Sequence, residues 1–136
     1  MAKFVLKDAF VSLNAVDLSA LVESITINYG AETPERTSMS EDARTRLPGL
    51  IDWSVDITFR QDFGANLVDA TLYDLVGAAA FAVEFRPTSA SVGSTNPKFT
   101  GNALIGSYNP ITGTVGDTAG APVTLTGDGD LTRATA

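Results

Sequence analysis

Residues 50–60, LIDWSVDITFR, constrain the fold more tightly than any other part of this chain. Ile51, Trp53, Val55, Ile57 and Phe59 alternate with Asp52, Ser54, Asp56 and Thr58. Successive strand side chains point to opposite faces, so this period of two makes one face apolar and the other acidic and hydroxylic. A helix would scatter both classes around its axis. The apolar face needs a core, while the polar face can meet water or a channel.

Other segments follow the same logic. Residues 22–29 alternate Ile25, Ile27 and Tyr29 with Ser24, Thr26 and Asn28, and are rich in β-branched and aromatic residues. Residues 10–13, 81–86, 99–108 and 122–126 read as further strands, with shorter ones expected at 4–6, 16–18 and 111–116. Leu67, Val68, Thr71, Leu72, Leu75 and Val76 recur at helical spacing, which predicts one amphipathic helix over 64–77 with Asp69 and Asp74 on its wet face. Gly77 is a natural stop for it. Trp53, Phe59, Phe81, Phe85 and Tyr73 fall on apolar faces and are assigned to the core.

Two stretches break the pattern. Residues 30–49 carry Pro34, Pro48, two flanking glycines and mixed charges, with no apolar period. A loop of this length inside a compact domain is usually functional, and Met39 and Leu47 offer anchors. The closing residues 127–136, GDGDLTRATA, are polar and read as a mobile C-terminal tail. The 136 residues thus read as a single domain, 1–136. It is mainly β, an antiparallel β-sandwich or open barrel flanked by one α-helix, with a long inter-strand loop.

Composition removes most chemistry. There is no Cys and no His, so the usual thiolate nucleophile, general base and metal ligand are missing. Asp128-Gly129-Asp130 lacks the remaining ligands of a calcium loop and reads as a turn. Asp52 and Asp56 share a strand face roughly 13 Å apart, too far for a paired-carboxylate hydrolase. No catalytic residue, metal or cofactor is expected, and the chain is read as not an enzyme. A net charge of −7 argues against gripping nucleic acid, though not against letting it pass. No secretory leader or membrane span is expected, which points to synthesis in a cytoplasm.

The order of parts now carries a resemblance. VSLNAVDLSALVESITINYG opens the chain, a long charged loop follows, and RLPGLIDWSVDITFRQDF leads into a helix ending LYDLVG. VEFRPTSASVGSTNPKFTG and a closing PVTLTGDGDLTR complete it. Across its whole length the chain resembles the major tail, or tail tube, proteins of long-tailed, non-contractile bacteriophages. The tubes of contractile systems share that fold. The resemblance implies stacked hexameric rings that form a hollow tail tube in the virion, assembled in the bacterial host cytoplasm. The implied partners are other copies of the chain, a tape-measure protein and DNA transiently in the lumen, and tail-tip initiator and tail terminator proteins.

Within that frame Asp52, Asp56 and Glu84 become candidate lumen acids, each on the polar face of an alternating strand. The long loop becomes the candidate inter-ring and inter-subunit element, through Glu32, Glu35, Arg36, Met39, Glu41, Asp42, Arg44 and Arg46. The alternatives are a capsid decoration or tail-terminator protein. A carbohydrate-binding sandwich would need an exposed aromatic platform.

Overall fold

The computed structural model describes residues 5–135. Seven strands form one antiparallel sheet: β1 (Phe10–Leu13), β2 (Val16–Asp17), β3 (Val22–Ala31), β4 (Ile51–Arg60), β5 (Phe81–Arg86), β6 (Lys98–Tyr108) and β7 (Gly120–Ala134). Their order across the sheet is β2-β1-β5-β6-β7-β4-β3. The two edge strands, β2 and β3, are therefore neighbours in sequence, joined only by Leu18 and a 3-10 turn at Ser19–Leu21. Seven strands laid flat would separate those edges by about 29 Å. The connection spans at most about 18 Å. The sheet must curl, and its concave face becomes the core, so the open barrel is the form the chain takes.

The alternating residues fill that core. Trp53, Val55, Ile57 and Phe59 of β4 are buried with Val11, Leu13, Phe81, Val83, Phe85, Ala103, Ile105, Val123 and Leu125. On β4 and β5 buried apolar residues alternate with outward ones, most of them polar, which is why the period of two located both strands to within a residue. One short helix, α1 (Val68–Leu72), runs into a 3-10 turn at Tyr73–Leu75 and packs Val68 and Leu72 into the core.

Several expectations are corrected. The helical region is shorter than 64–77, because Asn66 sits at φ 58° and Gly77 at φ 80°, both outside the right-handed helical region. Tyr73 is exposed rather than core, on the outer side of the 3-10 turn. Residues 111–116 form no strand; Thr112 makes an isolated bridge to Gly120. Val5 and Leu6 are also outside any strand, and Phe4 lies outside the described residues.

The largest change concerns the C-terminal segment. Residues read as a mobile tail continue β7 to Ala134, paired with β6 through Thr100↔Thr132 and Lys98↔Ala134. Ala136 lies outside the described residues. Polar sequence misled here because this half of β7 presents little apolar surface to the core.

Candidate assembly surfaces

The outward face of the barrel carries the predicted acids. On β4, Asp52 and Asp56 stand exposed beside Ser54 and Thr58. Asp56 accepts hydrogen bonds from Asn28 Nδ2 at 3.3 Å and from Thr124 Oγ1 at 3.2 Å, on the two flanking strands. Pairing sets Thr26 and Thr124 opposite Asp56, and Asn28 and Thr126 opposite Ser54. The outer face of β3, β4 and the first half of β7 is thus a field of hydroxyls, amides and carboxylates. Its outward positions hold no Lys or Arg, apart from Arg60 at the end of β4, which lies 3.7 Å from Glu23.

Glu84 is placed differently. It also faces away from the core, but on β5, which β6 and β7 separate from β4. Arg86 donates to it at 2.9 Å, stacks over the Phe10 ring at 4.0 Å and reaches the Ala90 carbonyl. Its charge is compensated, whereas those of Asp52 and Asp56 meet no cation within ion-pair distance among the described residues. The structure brings Asp52 and Asp56 together on one strand face and sets Glu84 apart.

The long loop is a second surface, and it is not irregular. Glu32 N–H donates to Leu50 O at 2.9 Å, Leu47 N–H to Pro34 O at 2.9 Å and Arg36 N–H to Thr45 O at 2.8 Å. With the Glu35↔Arg46 bridge, these bonds prolong the β3–β4 hairpin into an arm that projects beyond the core. It shows no apolar period because neither of its faces is buried. Glu32, Glu35, Arg36, Met39, Glu41, Asp42, Arg44 and Arg46 are all exposed on it. Its ion pair, Arg44 to Glu35 at 3.6 Å, is solvent-exposed and adds little by itself. Met39 at the tip is 97% exposed. Met39, Leu47 and Leu50 on the arm, with Tyr29 and Ile51 at the strand ends beside it, make five large apolar side chains exposed to water.

Two further features escaped the sequence reading. The first supports β4 from the opposite strands. Trp53 Nε1 donates to Gly129 O at 3.0 Å, and the indole lies against Gly127 and Gly101. A Cβ on Gly101 would fall 2.8 Å from the Trp53 ring, and one on Gly127 would overlap it. Gly129 adopts φ 90°, where the β6–β7 pairing shifts register. The GDG run is therefore a glycine bed for the single tryptophan. Among the described residues no group of three or more acidic side chains is placed to hold a metal.

The second is the barrel end opposite the arm. Tyr108 donates to Asp69 at 2.9 Å and accepts from Gln61 Nε2 at 3.0 Å, tying β6, α1 and the exit of β4 together. Burial raises the Tyr108 phenol above its ordinary range; the Gln61 hydrogen bond opposes this and Asp69 adds to it. Around this network Phe63, Tyr73, Ile111 and Val115 are exposed. The signal for Ile111 and Val115 was present: large apolar residues isolated among Gly, Thr and Pro, outside any periodic segment.

No protein-family model and no curated protein matches the sequence. Solved structures do. A chain in the virion of a native gene transfer agent particle has a TM-score of 0.77 at 16% identity, covering 96% of this chain and 98% of that one. A chain in the tail of an empty gene transfer agent particle, solved with C6 symmetry, gives 0.74 at 14% identity over 98% and 100%. A chain in the sheath–tube complex of the extracellular contractile injection system PVC gives 0.73 at 12% identity over 98% and 93%. The likeness reaches a contractile system and so does not single out non-contractile tails. From end to end, this chain has the fold of chains found in tail and sheath–tube assemblies.

Proposed function

We propose that this chain is the repeating subunit of a phage-type tail tube. Copies close into hexameric rings, rings stack, and the hollow tube conducts DNA during ejection. The observation that carries this reading is the end-to-end match to a chain from a sixfold-symmetric tail. Two features of the chain itself support it. The ten-residue β3 lies at the sheet edge and pairs with β4 alone, leaving its other side open to a strand from a neighbour. Identical heterologous contacts of that kind close into a ring. The arm then projects from the barrel with its apolar side chains uncovered, as an inter-ring contact requires.

In this reading the chain works in the virion tail after assembly in the host cytoplasm, without chemistry. A tape-measure protein and then DNA occupy the lumen, an initiator starts growth at the tail tip and a terminator stops it. Asp52 and Asp56 line the lumen, where carboxylates repel phosphates and no attractive contact holds the passing duplex. Glu84, already neutralised by Arg86, contributes less.

Negative-stain electron microscopy of the purified protein at rising concentration tests the proposal. Hollow tubes or stacked rings are expected. Rings that never stack would favour a terminator, and a persistent monomer or trimer would raise the decoration-protein reading to parity, since growth in this reading starts from an initiator.

A further inference from the structure

We infer that the acidic end of the barrel is the seat for the arm of a second copy. The inference rests on the tube reading and deepens it by naming the receiving surface. Residues 61–80 and 109–119, which form that end, contain Asp62, Asp69, Asp74 and Asp117 and no Lys or Arg. The arm offers the cations Arg36, Arg44 and Arg46, set among Glu32, Glu35, Glu41 and Asp42. Of the three only Arg44 has an ion-pair partner among the described residues, Glu35 at 3.6 Å within the arm. Both surfaces also expose large apolar side chains: Met39, Leu47 and Leu50 on the arm, Phe63, Ile111 and Val115 at the acidic end.

One chain cannot satisfy both surfaces by itself. Ala31↔Ile51 marks where the arm leaves the sheet, and Arg60↔Gly120 marks the acidic end. Those points lie at opposite ends of ten-residue β4, roughly 30 Å apart, and the arm extends away from the acidic end. Only another copy can bring them together. The contact is heterologous and places the same two surfaces at every step, so it propagates along an axis. Burial of the apolar groups supplies attraction, and the charges set polarity. Two acidic ends brought together would face carboxylates with no cation to answer them, which disfavours the reversed arrangement.

The chain has no cysteine, so every disulfide formed joins introduced thiols. Met39→Cys is mixed with isotope-labelled Val115→Cys at tube-forming concentration and gently oxidised. A second mixture pairs Leu47→Cys with labelled Phe63→Cys. Mass spectrometry is expected to show disulfides predominantly between arm and acidic-end variants, in at least one mixture. Tubes seen by microscopy whose disulfides are absent or join like variants would overturn the inference and leave the tube reading standing. Neither tubes nor disulfides would overturn both. Arm-to-end disulfides without tubes would uphold the contact and count against the tube.

Discussion

Trp53 occupies the core at the point where β4 meets the long antiparallel pair β6–β7, and it fits because two glycines leave room and a third supplies a carbonyl. Gly127 and Gly101 bring their backbones flat against the indole, and Gly129 turns its carbonyl toward the ring nitrogen. A methyl group at Gly127 has nowhere to go, since the obstructing atoms belong to a rigid, buried ring. Gly127→Ala should therefore destabilise the monomer by about 1–3 kcal/mol, the usual cost of overpacking. Denaturant unfolding followed by Trp53 fluorescence measures it, and an unchanged midpoint would show that the ring has slack. Gly93→Ala is the matched control, because nothing lies within 4 Å of a Cβ there. Sequence alone gave no route to this arrangement. A glycine beside a tryptophan some seventy positions away in the chain looks the same as a glycine in a turn.

At the scale of elements, what could be read depended on burial. Residues 51–60 and 81–86 stood out because one face of each meets the core and the other meets water, so their side chains record the strand period directly. The arm is an extension of the β3–β4 hairpin with one isolated bridge, and the second half of β7 is a strand, but backbone hydrogen bonds hold both without a buried face, and no pattern marks them. The helix erred in the other direction: Leu67 and Val76 extend the apolar spacing beyond the five residues that are α-helical. Positive φ at Asn66 and Gly77, which spacing cannot show, fixes the true limits. Of the candidate surfaces, the exposure of the loop residues and of Asp52 and Asp56 was legible in the sequence, whereas the grouping of Phe63, Ile111 and Val115 at the acidic end was not. Because the arm lies outside the core, replacing residues 36–45 with an Asn-Gly turn should leave the fold intact, since that pair suits a two-residue hairpin. Circular dichroism and the unfolding midpoint should match those of the parent, while tubes or stacked rings disappear from micrographs. A shortened variant that still stacks would remove the arm from the inter-ring contact.

The whole molecule presents two unlike ends and a wall whose β3, β4 and β7 face is acidic and hydroxylic, and the proposed lumen depends on that wall. Outward positions on these strands offer carboxylates, hydroxyls and amides, with Asp56 bonded to side chains on both neighbours. Repeated around a ring, such a face would line a channel with fixed negative charge, and the narrowness of the channel would weaken solvent screening of a duplex inside it. Reversing the charge should turn a repelling passage into a retaining one. Asp52→Lys with Asp56→Lys should still assemble, because both side chains are exposed and neither packs in the core. Assembled in the presence of short DNA duplexes at low salt, the reversed tubes should retain DNA that nuclease cannot reach, and release it as salt rises. Parent tubes should retain none. DNA bound to the reversed tubes but fully digested by nuclease would place Asp52 and Asp56 on the outer wall, and the lumen would then have to be sought on another surface of the barrel.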